Sequence, residues 1–300
     1  MNDEYYMKLA LKLAVKGRGY VSPNPMVGAV IVKNDTIIGR GYHRRFGGNH
    51  AEINAINNAS AQVKGSTLYV TLEPCCHEGK TPPCVNRIIK EKFSRVVIGS
   101  IDSNPLVSCQ GIEFLKNSGI DVTTGVLEKE CRQMNEVFFH YMETGRPFIT
   151  IKYAQTLDGR IATSSGKSQW ISSPASLKFA HQLRAGHDAI LVGRKTVERD
   201  NPELTVRLVR GKNPLRVILD SGLKISEKAR VLQNISAVPT LIATTRTADH
   251  PRFRKLAASG AEIVTVKADQ SGKVDLRKLL LMLSEKKISS ILVEGGSEII

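Results

Sequence analysis

Residues 3–144 alternate between helical and extended hydrophobic patterns. Apolar side chains recur with a helical period over residues 3–16, and the two prolines at 23 and 25 then favour a loop. Strands are predicted at 27–32, 36–42, 67–72, 95–100 and 121–125. Helices are predicted at 50–59, 83–91, 111–118 and 127–143. This order predicts an α/β sandwich whose sheet is largely parallel in its second half.

The pattern restarts after a short turn at residues 144–147. Strands are then predicted at 148–154, 189–192, 216–219, 240–243, 262–266 and 290–293, and helices at 173–184, 251–259 and 276–285. We therefore expect two α/β domains, at 1–146 and 147–300. The sequence stops just after a strand and a glycine turn, where a helix normally follows, so we expect the second domain to be truncated at its C-terminus.

Composition narrows the class of protein. An apolar share of 41% and a charged share of 24% are ordinary for a globular chain. The apolar runs are far shorter than the ~20 residues that span a bilayer, and the acidic start is unlike a signal peptide. The five cysteines are odd in number and clustered, unlike a secreted disulfide framework. These features favour a cytoplasmic enzyme with reduced thiols.

The net charge of +15 favours anionic partners. Nucleic acid and phosphorylated small molecules both fit this charge, and so does a basic surface that only aids solubility.

Two segments carry the residues typical of a zinc site. His50 is followed by Glu52, and Cys75 and Cys84 lie downstream. One imidazole and two thiolates suit Zn²⁺, and three protein ligands leave a fourth position for water, as in catalytic sites. A structural zinc site and a site without metal are the alternatives. Cys76 competes with Cys75 as a ligand, and Cys75 is favoured because it directly follows Pro74.

The remaining chemistry follows from this ligand set. Zinc lowers the pKa of bound water toward ~7, and Glu52, two residues from His50, is placed to move protons. Both ligand segments are predicted at helix N-termini, where the dipole favours thiolates. The pattern indicates hydrolytic removal of an amino group from a heteroaromatic ring. Cys109 and Cys131 have no partner motif and are interpreted as packing residues.

The spacing between Cys75 and Cys84 distinguishes among the families of zinc deaminases that this chain could resemble. Eight residues separate Cys75 from Cys84, whereas most cytidine and tRNA deaminases have two. Together with Pro23-Asn24-Pro25-Met26-Val27-Gly28, this segment resembles the bifunctional deaminase/reductase family of riboflavin biosynthesis. The resemblance covers essentially the whole chain. It implies an N-terminal cytidine-deaminase-like α/β/α sandwich and a C-terminal dihydrofolate-reductase-like α/β domain.

The resemblance also implies a reaction and its cofactors. The substrate would be 2,5-diamino-6-(5-phosphoribosylamino)pyrimidin-4(3H)-one, deaminated with Zn²⁺ and then reduced with NADPH from ribosyl to ribityl. His50, Cys75 and Cys84 would hold zinc, and Glu52 would be the catalytic proton shuttle. The deaminase pocket would be lined by Asn24, His43, His77 and Lys80. Asn24 between two prolines suits a plain turn equally well, and Lys80 a solvated charge.

One loop departs from the family pattern. The family usually has Asp-Pro-Asn-Pro where this chain has Asp102-Ser103-Asn104-Pro105. It often has Ser at the position of Cys76, and Gly near Cys109. The contribution of residues 102–111 therefore stays open.

The second half has no G-x-G-x-x-G fingerprint, so a standard Rossmann site is not predicted. Its short polar motifs follow predicted strands, where α/β sheets bind ligands. By resemblance, NADPH contacts would be Ala154, Trp170, Thr196, Asp200, Ser221 and Gly296. Substrate contacts would be Ser168, Arg184, Leu204, Arg207 and Glu294, with the arginines suited to phosphate. Lys152 would polarise the ribose, and Trp170 is equally compatible with the core.

Two other functions compete with this prediction. A nucleotide or tRNA deaminase with an accessory nucleic-acid-binding domain would use the same zinc chemistry, but an aromatic share of 5% argues against base stacking. A zinc-stabilised binding module without activity leaves Glu52 and the open metal position unexplained. We expect a phosphorylated pyrimidine as partner rather than nucleic acid or membrane, and a homo-oligomeric assembly.

Overall fold

The structure, a computed structural model, describes residues 2–79, 82–104, 108–161, 172–294 and 299. Contacts within the chain divide it into two compact units, Met1–Gly145 and Arg146–Ile300. The division falls in the turn at which the hydrophobic pattern restarts. Each unit is built around its own sheet.

The described part of the first unit contains a five-stranded mixed sheet. Its strands are β1 Gly28–Lys33, β2 Thr36–Tyr42, β3 Thr67–Leu72, β4 Arg95–Ser100 and β5 Asp121–Thr124. They are ordered β2-β1-β3-β4-β5. Strand β1 pairs antiparallel with β2 and β3, whereas β3–β4 and β4–β5 are parallel. The predicted change to parallel pairing in the second half of the sheet is confirmed.

Helices cover both faces of this sheet. They are α1 Asp3–Ala14, α2 Ala51–Asn57, α3 Cys84–Lys90, α4 Gln110–Asn117, α5 Glu128–Met134 and α6 Glu136–Thr144. Alternate residues of β1 face opposite layers, because side chains alternate along a strand. Ala29 and Ile31 pack with the cluster that includes α2, α3 and α4, while Val30 and Val32 pack with the cluster that includes α1. The unit is an α/β/α sandwich.

The residues predicted as one helix at 127–143 are helical but form two helices, because α5 and α6 are separated at Asn135. Asn135 is only 3% exposed, and its side chain is used in a tertiary contact. Its Oδ1 accepts from Met26 N at 2.8 Å and its Nδ2 donates to Met26 O at 2.8 Å. This contact anchors the chain just after Asn24, and helical periodicity could not reveal it.

Helix α2 lies unusually close to strand β2 at Gly41. A Cβ atom at this glycine would lie 2.2 Å from the carbonyl oxygen of Ala51 and 2.3 Å from the amide nitrogen of Ala55. Only a glycine permits that approach, since real side chains need more space. The contact fixes the N-terminus of α2, at which His50 is the N-cap residue.

Within its described residues, the second unit contains a six-stranded sheet. Its strands are β6 Phe148–Ile151, β7 Ala189–Gly193, β8 Leu215–Leu219, β9 Thr240–Thr244, β10 Glu262–Thr265 and β11 Ser290–Val293. They are ordered β10-β9-β8-β7-β11-β6, and every neighbouring pair is parallel. The carboxyl ends of all six strands therefore lie along one edge of the sheet.

Helices of the second unit flank this parallel sheet. They are α7 Pro174–Gly186, α8 Arg194–Asp200, α9 Arg230–Gln233, α10 Pro251–Ala258 and α11 Leu276–Glu285. Ser173 caps α7 by accepting from Ser176 N, as its position before Pro174 predicts. The sequence did not predict α8 or α9, which are short; α8 buries only Val197. The predicted α/β class of both halves is confirmed. Among the described residues, no helix has the length and apolar character needed to cross a membrane.

We predict that Gly41→Ala destabilises the first unit by about 1–3 kcal/mol, because the added methyl group overlaps the backbone of α2. Calorimetric unfolding would detect a lower Tm. Gly222→Ala is the control, since a Cβ there meets only the Lys224 side chain at 3.4 Å or more. Equal Tm values for Gly41→Ala and the wild type would contradict the packing argument.

Candidate active sites

Three segments of the first unit bring their metal-binding side chains together. His50 precedes α2, Cys75 follows β3, and Cys84 is the first residue of α3. Their ligand atoms all lie within 4.8 Å of one another. His50 Nδ1 is 3.5 Å from Cys75 Sγ and 3.3 Å from Cys84 Sγ.

These distances fit a tetrahedral zinc site. Zn–N and Zn–S bonds of ~2.0 and ~2.3 Å at tetrahedral angles place nitrogen and sulfur ~3.5 Å apart. Hydrogen bonds with Cys84 and then with His50 lower the pKa of Cys75, which favours the thiolate form that zinc binds. The backbone N–H of Cys84 also points at Cys75 Sγ, at 3.4 Å. The donor set and its spacing therefore suit Zn²⁺.

Glu52 lies in the first turn of α2, beside this ligand cluster. It is only 3% exposed, and its Oε2 has no hydrogen-bond partner among the described residues. Burial raises the pKa of the Glu52 carboxyl, and the nearby His50 opposes that rise. Burying a carboxylate oxygen without a hydrogen-bond partner costs free energy. Such unpaired polar atoms are common in groups that act on a ligand.

The cluster opens into a cavity of about 260 Å³. Three of the residues predicted to line a pocket do line it: Asn24, His43 and His77. His77 Nδ1 is buried and has no hydrogen-bond partner among the described side chains and backbone. Lys80, the fourth predicted residue, lies outside the described ranges.

His43 and Asn24 are linked by a short hydrogen-bond chain. His43 Nδ1 lies 3.0 Å from the carbonyl oxygen of Asn49, and His43 Nε2 lies 3.2 Å from Asn24 Nδ2. The His43 ring also packs edge-on against His50, with centroids 5.3 Å apart. Burial and then the neighbouring His50 lower the pKa of His43.

The sequence left residues 102–111 open, and the structure places Asp102 and Asn104 on the cavity wall. Burial raises the pKa of Asp102 to about 6. The location of Asp102 at the site could have been predicted from the sequence. Asp102 follows β4, which is the parallel neighbour of β3, the strand that leads to Cys75. Side chains at the carboxyl ends of adjacent parallel strands share one edge of a sheet.

Four predicted contacts of the second unit follow strands at one edge of the sheet. Lys152 follows β6, Glu294 follows β11, Thr196 lies just after β7, and Ser221 follows β8. These strands are parallel neighbours in the order β8-β7-β11-β6, so the four residues lie along the edge at which α/β sheets bind ligands. Polar groups spaced along such an edge suit an extended cofactor such as NADPH.

Arg184 and Glu294 were predicted as separate substrate contacts, and the structure pairs them with each other. Arg184 Nε and Nη2 donate to the two carboxylate oxygens of Glu294 at 2.7 and 2.8 Å. Arg184 Nη1 donates to Thr205 O at 3.1 Å. Arg207 Nη1 reaches Thr205 Oγ1 at 3.1 Å, and its side chain is the more exposed of the two arginines.

The other predicted contacts are placed as follows. Leu204 is buried with a left-handed φ of +55°, Ala154 is half-buried, and Asp200 is exposed at the end of α8. Ser168, Trp170 and Gly296 lie outside the described residues, so the structure leaves their predicted roles as predictions.

Comparison with known proteins settles the family. The RibD C-terminal domain model matches residues 147–300, and the cytidine and deoxycytidylate deaminase zinc-binding region matches residues 1–100. The riboflavin biosynthesis protein RibD of Aquifex aeolicus is 48% identical over 295 residues, which are 98% of this chain and 81% of that protein. The chain belongs to the RibD family.

Solved structures agree with this assignment. A diaminohydroxyphosphoribosylaminopyrimidine deaminase/5-amino-6-(5-phosphoribosylamino)uracil reductase from Thermotoga maritima is 44% identical, with a TM-score of 0.88 over 99% of this chain and 82% of that one. RibD from Acinetobacter baumannii is 36% identical, with a TM-score of 0.88 over 99% and 81% of the two chains.

Membership of the RibD family establishes the general activity. The protein is a bifunctional deaminase and reductase of riboflavin biosynthesis, with Zn²⁺ and NADPH as cofactors. The predicted family, fold class, enzyme class and cofactors are confirmed. The competing prediction of a nucleotide or tRNA deaminase is not favoured. The individual residue roles stay predictions.

We predict that Cys75→Ser and Cys84→Ser abolish stoichiometric zinc binding, because each removes one thiolate from the cluster. Cys76→Ser should retain zinc, because Cys76 lies outside the group of converging ligand atoms. Atomic absorption on dialysed protein measures the difference. Retention of zinc by Cys75→Ser together with its loss from Cys76→Ser would reverse the ligand assignment.

Proposed function

We propose that the first unit deaminates 2,5-diamino-6-(5-phosphoribosylamino)pyrimidin-4(3H)-one, and that the second unit then reduces its ribosyl group to ribityl. The relative from Thermotoga maritima is named for a deaminase and a reductase activity of this kind. The observation that carries the deaminase assignment is the position of Glu52 beside three converging zinc donors, with an Oε2 atom that has no hydrogen-bond partner in the described part of the chain. The proposed domains, 1–146 and 147–300, are those of the sequence prediction.

The net reaction in the first unit replaces an amino group on the ring with oxygen from water and releases ammonia. Zn²⁺, when bound by His50, Cys75 and Cys84, supplies the Lewis acidity that lowers the pKa of water. Glu52 Oε2 accepts a proton from water and returns it to a ring nitrogen, and a second transfer reaches the departing amine. Burial of Glu52 suits both transfers, because a raised carboxyl pKa lies closer to the operating pH.

The remaining cavity residues bind and orient the ring. Asn24 and His77 line the cavity with hydrogen-bonding groups for the pyrimidine. Asp102 and Asn104 extend this polar wall. Lys80 is proposed as a contact for the substrate phosphate, on the family resemblance alone.

In the second unit, the carboxyl edge of the sheet is proposed to bind NADPH and substrate. NADPH supplies the hydride. Ala154, Trp170, Thr196, Asp200, Ser221 and Gly296 are the proposed cofactor contacts. Lys152 is proposed to donate a hydrogen bond to the ribose oxygen on which negative charge develops. A preorganised cation stabilises such a charge without reorganising during the reaction.

The two arginines among the proposed substrate contacts of the second unit are given different roles. Arg207 has the more exposed guanidinium and is proposed to bind the sugar phosphate. Arg184 holds the carboxylate of Glu294 in place with two charge-assisted hydrogen bonds. Leu204 and Ser168 complete the proposed set. A homo-oligomer and a cytoplasmic location, which reduced zinc-binding thiols would favour, remain part of the proposal.

We predict that Glu52→Gln retains zinc but loses ammonia release by at least ~10²-fold, because the amide cannot carry the proton. Ammonia is measured with the diaminopyrimidine substrate in the absence of NADPH. The matched control gives the variant the already deaminated compound together with NADPH. Glu52→Gln should reduce this compound, with oxidation of NADPH, at the wild-type rate. Near-normal ammonia release would contradict the role of Glu52.

We predict the reverse pattern for Lys152→Met. Oxidation of NADPH should fall by roughly 10²-fold, because a donor to the developing charge is removed. Ammonia release should be unchanged, since Lys152 belongs to the second unit. The backbone N–H of Lys152 donates to Val293 O, and the substitution preserves that hydrogen bond. A loss of both activities would show that Lys152 supports folding instead.

A further inference from the structure

The hydrogen-bond chain behind the cavity fixes which atom of Asn24 can face a ligand. The carbonyl oxygen of Asn49 can only accept, so His43 Nδ1, at 3.0 Å, must carry a proton. His43 is 2% exposed, and a buried imidazole is least costly when neutral. Its second nitrogen, Nε2, therefore presents a lone pair.

That lone pair determines the orientation of the Asn24 amide. The Asn24 group at 3.2 Å from His43 Nε2 must be a donor, so it is the NH₂ group and not the carbonyl oxygen. The opposite orientation would direct Oδ1 at another lone pair. Because Asn24 lines the cavity, its Oδ1 is left as the acceptor that the side chain can present there.

We propose that His43 is a positioning residue, which orients Asn24 so that the cavity recognises a hydrogen-bond donor on the pyrimidine edge. An N–H or NH₂ group at that place would be accepted, and a carbonyl oxygen would be rejected. This inference rests on the proposed deaminase function of the first unit. It replaces the predicted role of His43 as a direct substrate contact.

The geometry of neighbouring groups supports an indirect role. Both ring nitrogens of His43 have partners within the protein, at Asn49 and Asn24. The ring edge meets His50. His43 can therefore influence the ligand through Asn24 while its own polar atoms remain occupied.

Two variants separate the acceptor of His43 from its ring. His43→Phe preserves a ring against His50 but removes the acceptor, and His43→Gln loses the ring but can place a carbonyl oxygen near the position of Nε2. We expect kcat/KM for ammonia release to fall roughly tenfold in His43→Phe, the value of one hydrogen bond, and to be largely retained in His43→Gln. Zinc content and Tm are measured on both variants.

A double-mutant cycle with Asn24→Ala tests whether His43 acts through Asn24. In that background, His43→Phe should change kcat/KM by less than about twofold, because the amide it orients is gone. Multiplicative losses in kcat/KM, or an equal loss in His43→Gln at normal zinc content, would overturn the proposal.

A measurement that needs no activity keeps the two hypotheses distinct. Long-range proton–nitrogen NMR correlations of the zinc-loaded protein report the tautomer of His43. The proton is expected on Nδ1, and a proton on Nε2 would overturn the proposal whether or not ammonia is released. Absence of ammonia release from the wild type, with the expected tautomer, would instead count against the proposed deaminase function.

Discussion

The buried carboxylate of Glu73 holds the deaminase site together. It directly precedes Pro74 and Cys75, and it accepts hydrogen bonds from the backbone N–H groups of Asp102, Cys109 and Ile112 at 3.1–3.3 Å. Burial raises the pKa of Glu73, and these N–H groups counter that rise. The Glu73 side chain thus connects Asp102, Cys109 and Ile112 by hydrogen bonds to the segment that carries Cys75.

Close backbone packing reinforces this attachment. A Cβ atom at Gly111 would lie 2.2 Å from the carbonyl oxygen of Pro74, so α4 lies directly against the ligand segment. Gly41 likewise allows α2 to approach β2 closely. His50 and Cys75 therefore depend on close backbone contacts made by two different elements, β2 and α4, and no local sequence pattern contains both contacts.

In the second unit, the buried cation Arg216 connects a loop to the core by hydrogen bonds. Arg216 is 1% exposed and donates to the carbonyl oxygens of Glu203, Asn234 and Val238. Burial lowers the pKa of Arg216 to about 10, which still leaves it charged at neutral pH. The Glu203 carbonyl belongs to the loop that continues to Leu204 and Arg207. Buried charges are usually compensated by several hydrogen bonds, and here that requirement fixes a proposed binding loop to the core.

The sequence predicted those parts of the molecule that local patterns determine. Strand periodicity located the sheets, and the types and spacing of His50, Cys75 and Cys84 identified the zinc chemistry and then the family. It did not predict the break at Asn135, because that residue bonds Met26 across 109 positions. It also treated Arg184 and Glu294 as independent, although they lie 110 residues apart and pair directly. Tertiary partners of polar side chains are the information that a single sequence lacks.

These tertiary partners change what the predicted residues can do. The guanidinium of Arg184 suits a phosphate by its chemistry, but two of its nitrogens are directed at Glu294, so binding a phosphate there would require breaking a largely buried ion pair. The imidazole of His43 suits a substrate contact in the same way, but both its nitrogens face protein groups. In each unit, a residue that resemblance assigns to the ligand is hydrogen-bonded to a second assigned residue, and we propose that it orients that second residue. Selectivity in both reactions is therefore expected to depend on such pairs as much as on the contacts themselves.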